Sequence, residues 1–503
     1  MRLSFLKRAA LSFALLGIVT CTHGQQADLP GKPCATADQP LPWLKEFQKR
    51  VFLAPRTNEI RYVAVAVHLV GTDNGEQIIP ENKVLDAFCT LNRHFAESGI
   101  QFYLSGNFRR INNNAFHEHS SGLTGLTMMN LHNVTGAVNT YFVRDAMDAC
   151  GYTLRDNSGL GIGIVLSDAC TGINTSTWTH EMGHFFSLPH TFQGWEREAA
   201  NYAVPAPARV GNIAVELADG KNCSTAGDGF CDTPADYLNG RWFCGPQATS
   251  QIVQFDPLGT AFRSDGTLFM SYAADPCPTR FSPLQQEAMR AHLKSIRIDL
   301  MQSARLSPDV SLRSEVQLLK PANTALVPNF QEVGVSWNKV SGADSYLLEL
   351  SFLPSFPFST NLYLLQDTAF TIRDLKPART YFWRVRPFNS LSTCRIFSQV
   401  RSFTTGNVTD TRNPADSGNE LELFPNPVSV NHPLSMRMIA EKAGEITFEL
   451  VDLTGKQAFT RNLEVVSGAN TFSLGHIPMP PGTYLLRIWY SGKAFSRKLV
   501  IGP

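Results

Sequence analysis

At 503 residues the chain exceeds what one ordinary hydrophobic core can organise, so about two to four domains are expected. A hydrophobic share of 43%, a charged share of 17% and 33 phenylalanines describe folded globular modules and exclude a disordered chain. With 44 Lys and Arg against 43 Asp and Glu, the formal charge of +1 gives no global field. Nucleic acid or an anionic membrane recognised through net charge is thereby excluded.

In chain order, Met1, Arg2, Lys7 and Arg8 precede an apolar run from Ala9 to Val19 and small polar residues around Thr22 and Gly24. This pattern predicts a signal peptide over 1–24. The apolar run is far short of the roughly 20 residues a membrane span requires, and no later segment reads as transmembrane. Lipidation at Cys21 is disfavoured, because Ile18-Val19-Thr20 lacks small residues. Export permits disulfides, and nine cysteines remain: Cys34, Cys89, Cys150, Cys170, Cys223, Cys231, Cys244, Cys277 and Cys394. The odd number leaves one thiol over, and the four between Cys223 and Cys277 suggest local staples.

Residues 25–55 are polar and carry Pro30, Pro33, Pro40, Pro42 and Pro55, and read as an irregular prosegment. The run from Arg61 through Val70 has strong β-propensity, and Glu81 to Ser98 has helical spacing in Val84, Leu85, Phe88, Leu91 and Phe95. Gly161 to Ser167 reads as a buried strand. A short helix is expected from Thr175 to Phe186, entered through Asn174 or Thr175 as cap. After a long stretch rich in Gly, Asp, Asn and Cys, Ser282-Pro283 opens a helix to about Met301, closing a mixed α/β domain over 56–303. His117 and His119 flank Glu118 in an Asn-rich stretch that reads as a surface loop. Short strands with turn signals then fill 316–405, a polar linker spans 406–419, and a last β-rich unit occupies 420–503.

Thr179-His180-Glu181-Met-Gly-His184-Phe-Phe-Ser187-Leu-Pro-His190 contains H-E-x-x-H on the expected helix. Residues four apart share a helix face, so His180 and His184 can present nitrogens to one zinc ion. Glu181 is placed to take a proton from water. His190 reaches the same ion if the chain turns sharply after the helix, and three protein ligands mark a catalytic rather than a structural zinc site.

This segment resembles the metzincin signature H-E-x-x-H-x-x-G-x-x-H. With His190-Thr191-Phe192 and Gly227-Asp-Gly-Phe-Cys-Asp-Thr-Pro234, it is similar to the pappalysin branch and its bacterial, cytophagalysin-like members. Phe269-Met270-Ser-Tyr272 resembles the family's methionine turn. The resemblance implies that Met270 floors the metal site and that Tyr272 orients or stabilises the oxyanion of the tetrahedral intermediate. One departure is Ser187, where the family has Gly. A left-handed backbone there costs a serine roughly 1 to 2 kcal/mol.

Asp228 and Asp232, with Asp236 nearby, lie in a Gly-bearing loop that either holds calcium or is a solvated loop stapled by Cys223 and Cys231. Cys34, in Lys32-Pro-Cys-Ala-Thr, resembles a prosegment cysteine switch that occupies the zinc's open position. The alternative is a disulfide to the catalytic domain.

Trp337, Tyr346 and Tyr381-Phe-Trp-Arg-Val-Arg386 resemble a fibronectin type III domain, and such a fold leaves function open. Leu423-Phe-Pro-Asn-Pro427, Val451-Asp-Leu-Thr-Gly455, Pro481-Gly-Thr-Tyr and Lys498-Leu-Val-Ile501 resemble the C-terminal sorting domain of type IX secretion. That resemblance implies a bacterial protein, secreted or fixed to the cell surface, with the secretion machinery as a partner. The reading is a multidomain chain: an α/β metzincin-like zinc endopeptidase acting on protein or peptide substrates, followed by two all-β sandwiches. The alternative is a catalytically weak or inactive surface binding protein of the same fold.

Overall fold

The computed structural model describes residues 32–37, 41–49, 59–198, 201–301, 312, 315–373, 375–408, 422–430, 432–440, 442–452, 457–490 and 493–503. The expected signal peptide and most of the expected linker lie outside the described residues. The chain divides into two compact units. One runs to Ala325 and includes Gly334–Thr371 and Thr380–Thr404; the other comprises Leu326–Val333, Ile372–Arg379 and Thr405–Pro503.

The first unit is built on a six-stranded sheet: β1 (Arg61–Gly71), β2 (Ile100–Leu104), β3 (Arg109–Asn112), β4 (Val138–Val143), β5 (Gly151–Arg155) and β6 (Gly161–Ser167). The order is β2-β1-β4-β6-β5, with β3 also on β1; every pairing is parallel except that of β5 with β6. β1 and β4 are buried almost throughout; this is why β1 reads as a nearly continuous apolar run, while β4 buries Asn139 and Thr140 as well.

Helix α1 (Pro42–Gln48) precedes the sheet, and α2 (Glu81–Phe95) packs Val84, Leu85, Phe88, Leu91 and Phe95 into the core. α2 ends three residues before the expected Ser98, because Ala96–Ser98 tightens into a 3-10 turn closed by Gly99 in the left-handed conformation. α3 (Gly122–His132) follows, then α4 (Thr177–Phe185) and α5 (Pro283–Ser295). α5 starts as expected, with Ser282 and Gln285 forming a reciprocal capping box. It stops before Met301, because the Ile296 and Arg297 N–H groups both close on His292 O.

His117 and His119 are not on a surface loop. Asn113 caps a single helical turn through Phe116 N, and this carries both rings inward, where His117 Nδ1 meets Val70 O and His119 Nε2 lies 2.5 Å from the Tyr152 hydroxyl. Of the nine cysteines, eight pair: Cys89–Cys394, Cys150–Cys170, Cys223–Cys231 and Cys244–Cys277. The last two are the local staples expected between Cys223 and Cys277, and Cys34 is free and buried.

Also within the first unit, Ser345–Ser351 pairs antiparallel with Asn361–Leu365 and with Thr380–Phe388. Buried Leu347 and Phe388 join the core of α2, and Asp86 on α2 binds Arg386 and Arg395 beside the Cys89–Cys394 bond. In the second unit, Leu434–Ala440 is flanked by Glu422–Phe424 and Gly468–Gly475. A second sheet runs Val428–Ser429, Lys493–Gly502, Gly482–Tyr490, Gly444–Val451 and Gln457–Val465. Met436, Phe448, Leu450, Leu486, Ile488 and Leu499 fill the interior of that unit, so the period-two alternation along its strands reports one buried face each.

Candidate metal centre and active site

α4 holds its apolar residues Trp178, Met182 and Phe185 in the core around α2, while His180, Glu181 and His184 project elsewhere, also buried. Its start is not capped by Asn174 or Thr175. Ser176 N donates to both carboxylate oxygens of Asp275 at 3.1 Å, so a residue 99 positions away satisfies the helix's first N–H. Its end is a left-handed turn at Ser187, φ 72°. Ser187 N bonds His184 O and Leu188 N bonds Gly183 O, both at 2.9 Å, the paired closure usually built on glycine. That turn brings His190 back toward the helix.

Three imidazoles meet there. His184 Nε2 lies 3.1 Å from His180 Nε2 and 3.0 Å from His190 Nε2. His180 Nδ1 faces Phe269 O at 2.6 Å and His184 Nδ1 faces Leu188 O at 2.8 Å. A carbonyl only accepts, so each Nδ1 carries the proton and each Nε2 presents a lone pair. His190 Nδ1 faces Glu196 Oε1 at 3.3 Å, and Glu196 is itself held by Gly194 N. Burial pushes His180 down to about 3 and His184 well below the usual imidazole range, so both rings are neutral at physiological pH. The lone pairs of His180 and His184, with Nε2 atoms 3.1 Å apart, repel, and a cation removes the repulsion. The Cys34 sulfur joins this cluster, with all four donor atoms within 4.8 Å of one another. A set of three nitrogens and one thiolate-capable sulfur fits zinc.

Glu181 is fully buried beside the cluster. Its Oε2 accepts from Thr36 Oγ1 at 2.9 Å and Thr153 Oγ1 at 3.0 Å. Burial pushes its carboxyl up to about 7, against the downward pull of hydrogen bonds from Cys34, Thr36 and Thr153. The segment bearing Cys34 and Thr36 lies parallel to the outer edge of the sheet: Lys32 N bonds Asp148 O, Cys150 N bonds Lys32 O and Ala35 N bonds Gly151 O. The Tyr272 hydroxyl donates to Cys34 O at 3.3 Å.

Met270 is completely buried, and a Cβ placed on Gly183 would come within 2.5 Å of its sulfur. Gly183 is therefore fixed by the methionine beneath the helix. Asp236 ties the pieces together, its Oδ2 accepting from Thr191 Oγ1 and Ser271 Oγ, both at 2.7 Å. One buried carboxylate thus clamps the segment after His190 to the turn after Met270. Asp228 accepts from Phe230 N and Thr233 Oγ1. Asp232 accepts from Ser282 Oγ and Leu284 N at the start of α5. Among the described residues, neither joins a cluster of three potential ligands.

Residues 422–502 match the family described as "Secretion system C-terminal sorting domain". The extracellular metalloprotease of Colletotrichum graminicola is 26% identical over 234 residues, covering 44% of this chain and 70% of that protein. The extracellular metalloproteases of Podospora anserina (26% over 258 residues, covering 47% and 74%) and Neurospora crassa (25% over 257 residues, covering 47% and 75%) are similarly related. The chain is secreted or held at the cell surface. Among solved structures, a fibronectin type III domain of human fibronectin type III domain containing protein 3 is 24% identical, covers 20% of this chain and 94% of that one, and has a TM-score of 0.17. The fibronectin(III)-like modules of Clostridium thermocellum CbhA reach 11% identity over 37% and 93%, with a TM-score of 0.16. Among the described residues no helix is long and apolar enough to cross a membrane.

Thr36, Thr153, Glu196, Asp275 and Arg155 stand outside the sequence motif. Arg155 donates to the His184 and Leu188 carbonyls at 2.8 and 3.2 Å. Thr36, two residues from Cys34, and Asp275, three residues after Tyr272, had neighbours in sequence to draw notice to them.

Proposed function

We propose that the protein is a secreted zinc endopeptidase of the pappalysin type, made as a zymogen whose prosegment covers the catalytic groups. The observation that carries this reading is the convergence of three imidazoles through Nε2, with the proton of His180 and of His184 held on Nδ1 by a backbone carbonyl. His180, His184 and His190 would hold the metal, which supplies Lewis acidity that lowers the pKa of water and polarises a peptide carbonyl. Glu181 accepts the water proton and passes it to the leaving amine, and its raised pKa suits both halves of that transfer. Tyr272 holds the oxyanion. Met270 packs under the helix, and Asp236 keeps it in register with the third ligand.

The prosegment supports the same reading by engaging each group at once. Cys34 supplies a fourth donor, Thr36 occupies Glu181, and the Cys34 carbonyl takes the Tyr272 hydroxyl. Removing the prosegment frees all three. The pappalysin assignment draws on Gly227–Pro234 and on Phe269–Tyr272; the terminal unit would act as a type IX sorting signal, with that machinery as its partner. The 316–405 unit would be a fibronectin-like spacer. Calcium at Asp228 and Asp232 has less support, because hydroxyl and N–H donors already engage both carboxylates. No observation favours a non-catalytic binding protein, since Ser187 occupies the left-handed turn with both closing hydrogen bonds intact.

The test uses mature protein beside Glu181→Ala. Both should carry about one zinc per chain. Cleavage of casein or a quenched peptide should fall by about a thousand-fold in the variant, the scale of a lost general base. Zinc in both without cleavage in either removes the protease reading, and no zinc in either removes the metal centre.

A further inference from the structure

Ser187 is fully enclosed and carries a side chain at φ 72°, where an L-residue is disfavoured. Its hydroxyl does not bond its own backbone. Ser187 Oγ lies 2.9 Å from His292 Nε2, a residue of α5 that is 105 positions away. His292 is completely buried, its Nδ1 has no hydrogen-bond partner among the described residues, and its ring is fixed edge-on against Trp43 of α1 at 4.8 Å and near-perpendicular to Phe186 at 6.5 Å. Packing therefore sets the ring, and its one polar contact is directed at Ser187.

The turn at Ser187 governs two of the three nitrogens. It places Leu188 O, which orients His184 through Nδ1, and it sets the path through Pro189 that returns His190 to the cluster. A shift of this turn moves both at once.

We propose that the Ser187–His292 hydrogen bond is the positioning device for the third ligand. It fixes the left-handed turn that returns His190 to the metal centre, at a place where glycine would need no such support. Ser187 and His292 touch neither metal nor substrate, and act only through His184 and His190. The inference rests on the metal-centre reading above.

The test measures zinc affinity by chelator competition, and the cobalt(II) absorption spectrum, on the full chain. The variants are Ser187→Ala, Ser187→Gly, His292→Phe and Ser187→Ala with His292→Phe. Ser187→Ala keeps the disfavoured backbone and loses the bond, so zinc should bind about ten-fold more weakly, with a shifted cobalt spectrum. Ser187→Gly loses the bond and the strain together and should bind within about two-fold of the unmutated chain. His292→Phe should match Ser187→Ala, and the double variant should be no weaker than either single one. If His292→Phe does not fold, the contrast between alanine and glycine at 187 decides.

Unchanged affinity in Ser187→Ala, an equal loss in Ser187→Gly, or losses that multiply in the double variant would each overturn the inference while leaving the metal centre standing. Absence of zinc from the unmutated chain would overturn both.

Discussion

Between Thr177 and His190, three imidazoles turn their Nε2 atoms toward one another. Between Gly227 and Asp236, three carboxylates turn toward hydroxyl and N–H donors instead. Both stretches hold groups able to bind a cation, and residue type does not separate them. What separates them is the direction of the protons. In the first, backbone carbonyls draw the protons of His180 and His184 away from the meeting point; in the second, hydroxyl and N–H donors already engage each carboxyl. The exception lies beside the second stretch: Glu216 Oε2 is buried without a hydrogen-bond partner among the described residues.

The sharpest way to break this comparison is to remove one member from each side. His184→Ala should reduce peptide cleavage to background and lose the metal, with little change in the unfolding midpoint of metal-free protein. Removing a converging lone pair relieves repulsion there, and metal analysis with urea titration reads both effects. Asp236→Ala should do the reverse in kind. It strands the donors of Thr191, Ser264, Ser271 and Leu238, so stability should fall by about 3 kcal/mol in a urea titration. Equal loss of stability in the two variants would erase the distinction.

Glu216 gives a smaller and pH-dependent effect. Burial first, then Asp228 and Asp236, push its carboxyl up to about 9 from an ordinary 4.5, and burial pushes Asp228 up to about 8. A raised acid holds its proton in the folded state after the unfolded chain has released it, so stability is greatest at low pH and declines as pH rises through this window. The slope should be at most about 1.4 kcal/mol per pH unit per group, and Glu216→Gln should flatten its share. If calcium instead abolishes the slope in the unmutated protein, the loop belongs with the cation sites. Smallest of all, Cys34→Ser should leave the mature enzyme's cleavage rate unchanged and shorten the lag before activity appears in the zymogen, read by peptide cleavage from the moment zinc-loaded zymogen is mixed with an activating protease.

The converging histidines were legible because their information is local. His180 and His184 share a helix face, and Met270 was placed by its own short motif. Ser187 was legible as a cost but not as a contact, because the group that answers it lies 105 residues away. Asp275 at the start of α4 and Asp236 between Thr191 and Ser271 failed to show for the same reason: a carboxylate that serves a distant N–H or hydroxyl has no spacing to betray it. His117 and His119 were misplaced by their polar neighbours. Asn113, read as part of a loop, caps the turn that buries them. In the first sheet β1 and β6 were recoverable from their apolar runs, whereas β2 to β5 were not read, and the edge-lying segment 32–37 has no such pattern, being held by backbone bonds that any residues could make.

The Cys89–Cys394 bond spans 305 residues and encloses the segment from His180 to His190. A single backbone cut anywhere between those two cysteines therefore yields no separate piece: the N-terminal and C-terminal products remain one covalent particle until a reductant is added. A protease that trimmed itself there would run as an uncut chain on a gel without thiol, and only the reduced lane would record that it had been processed.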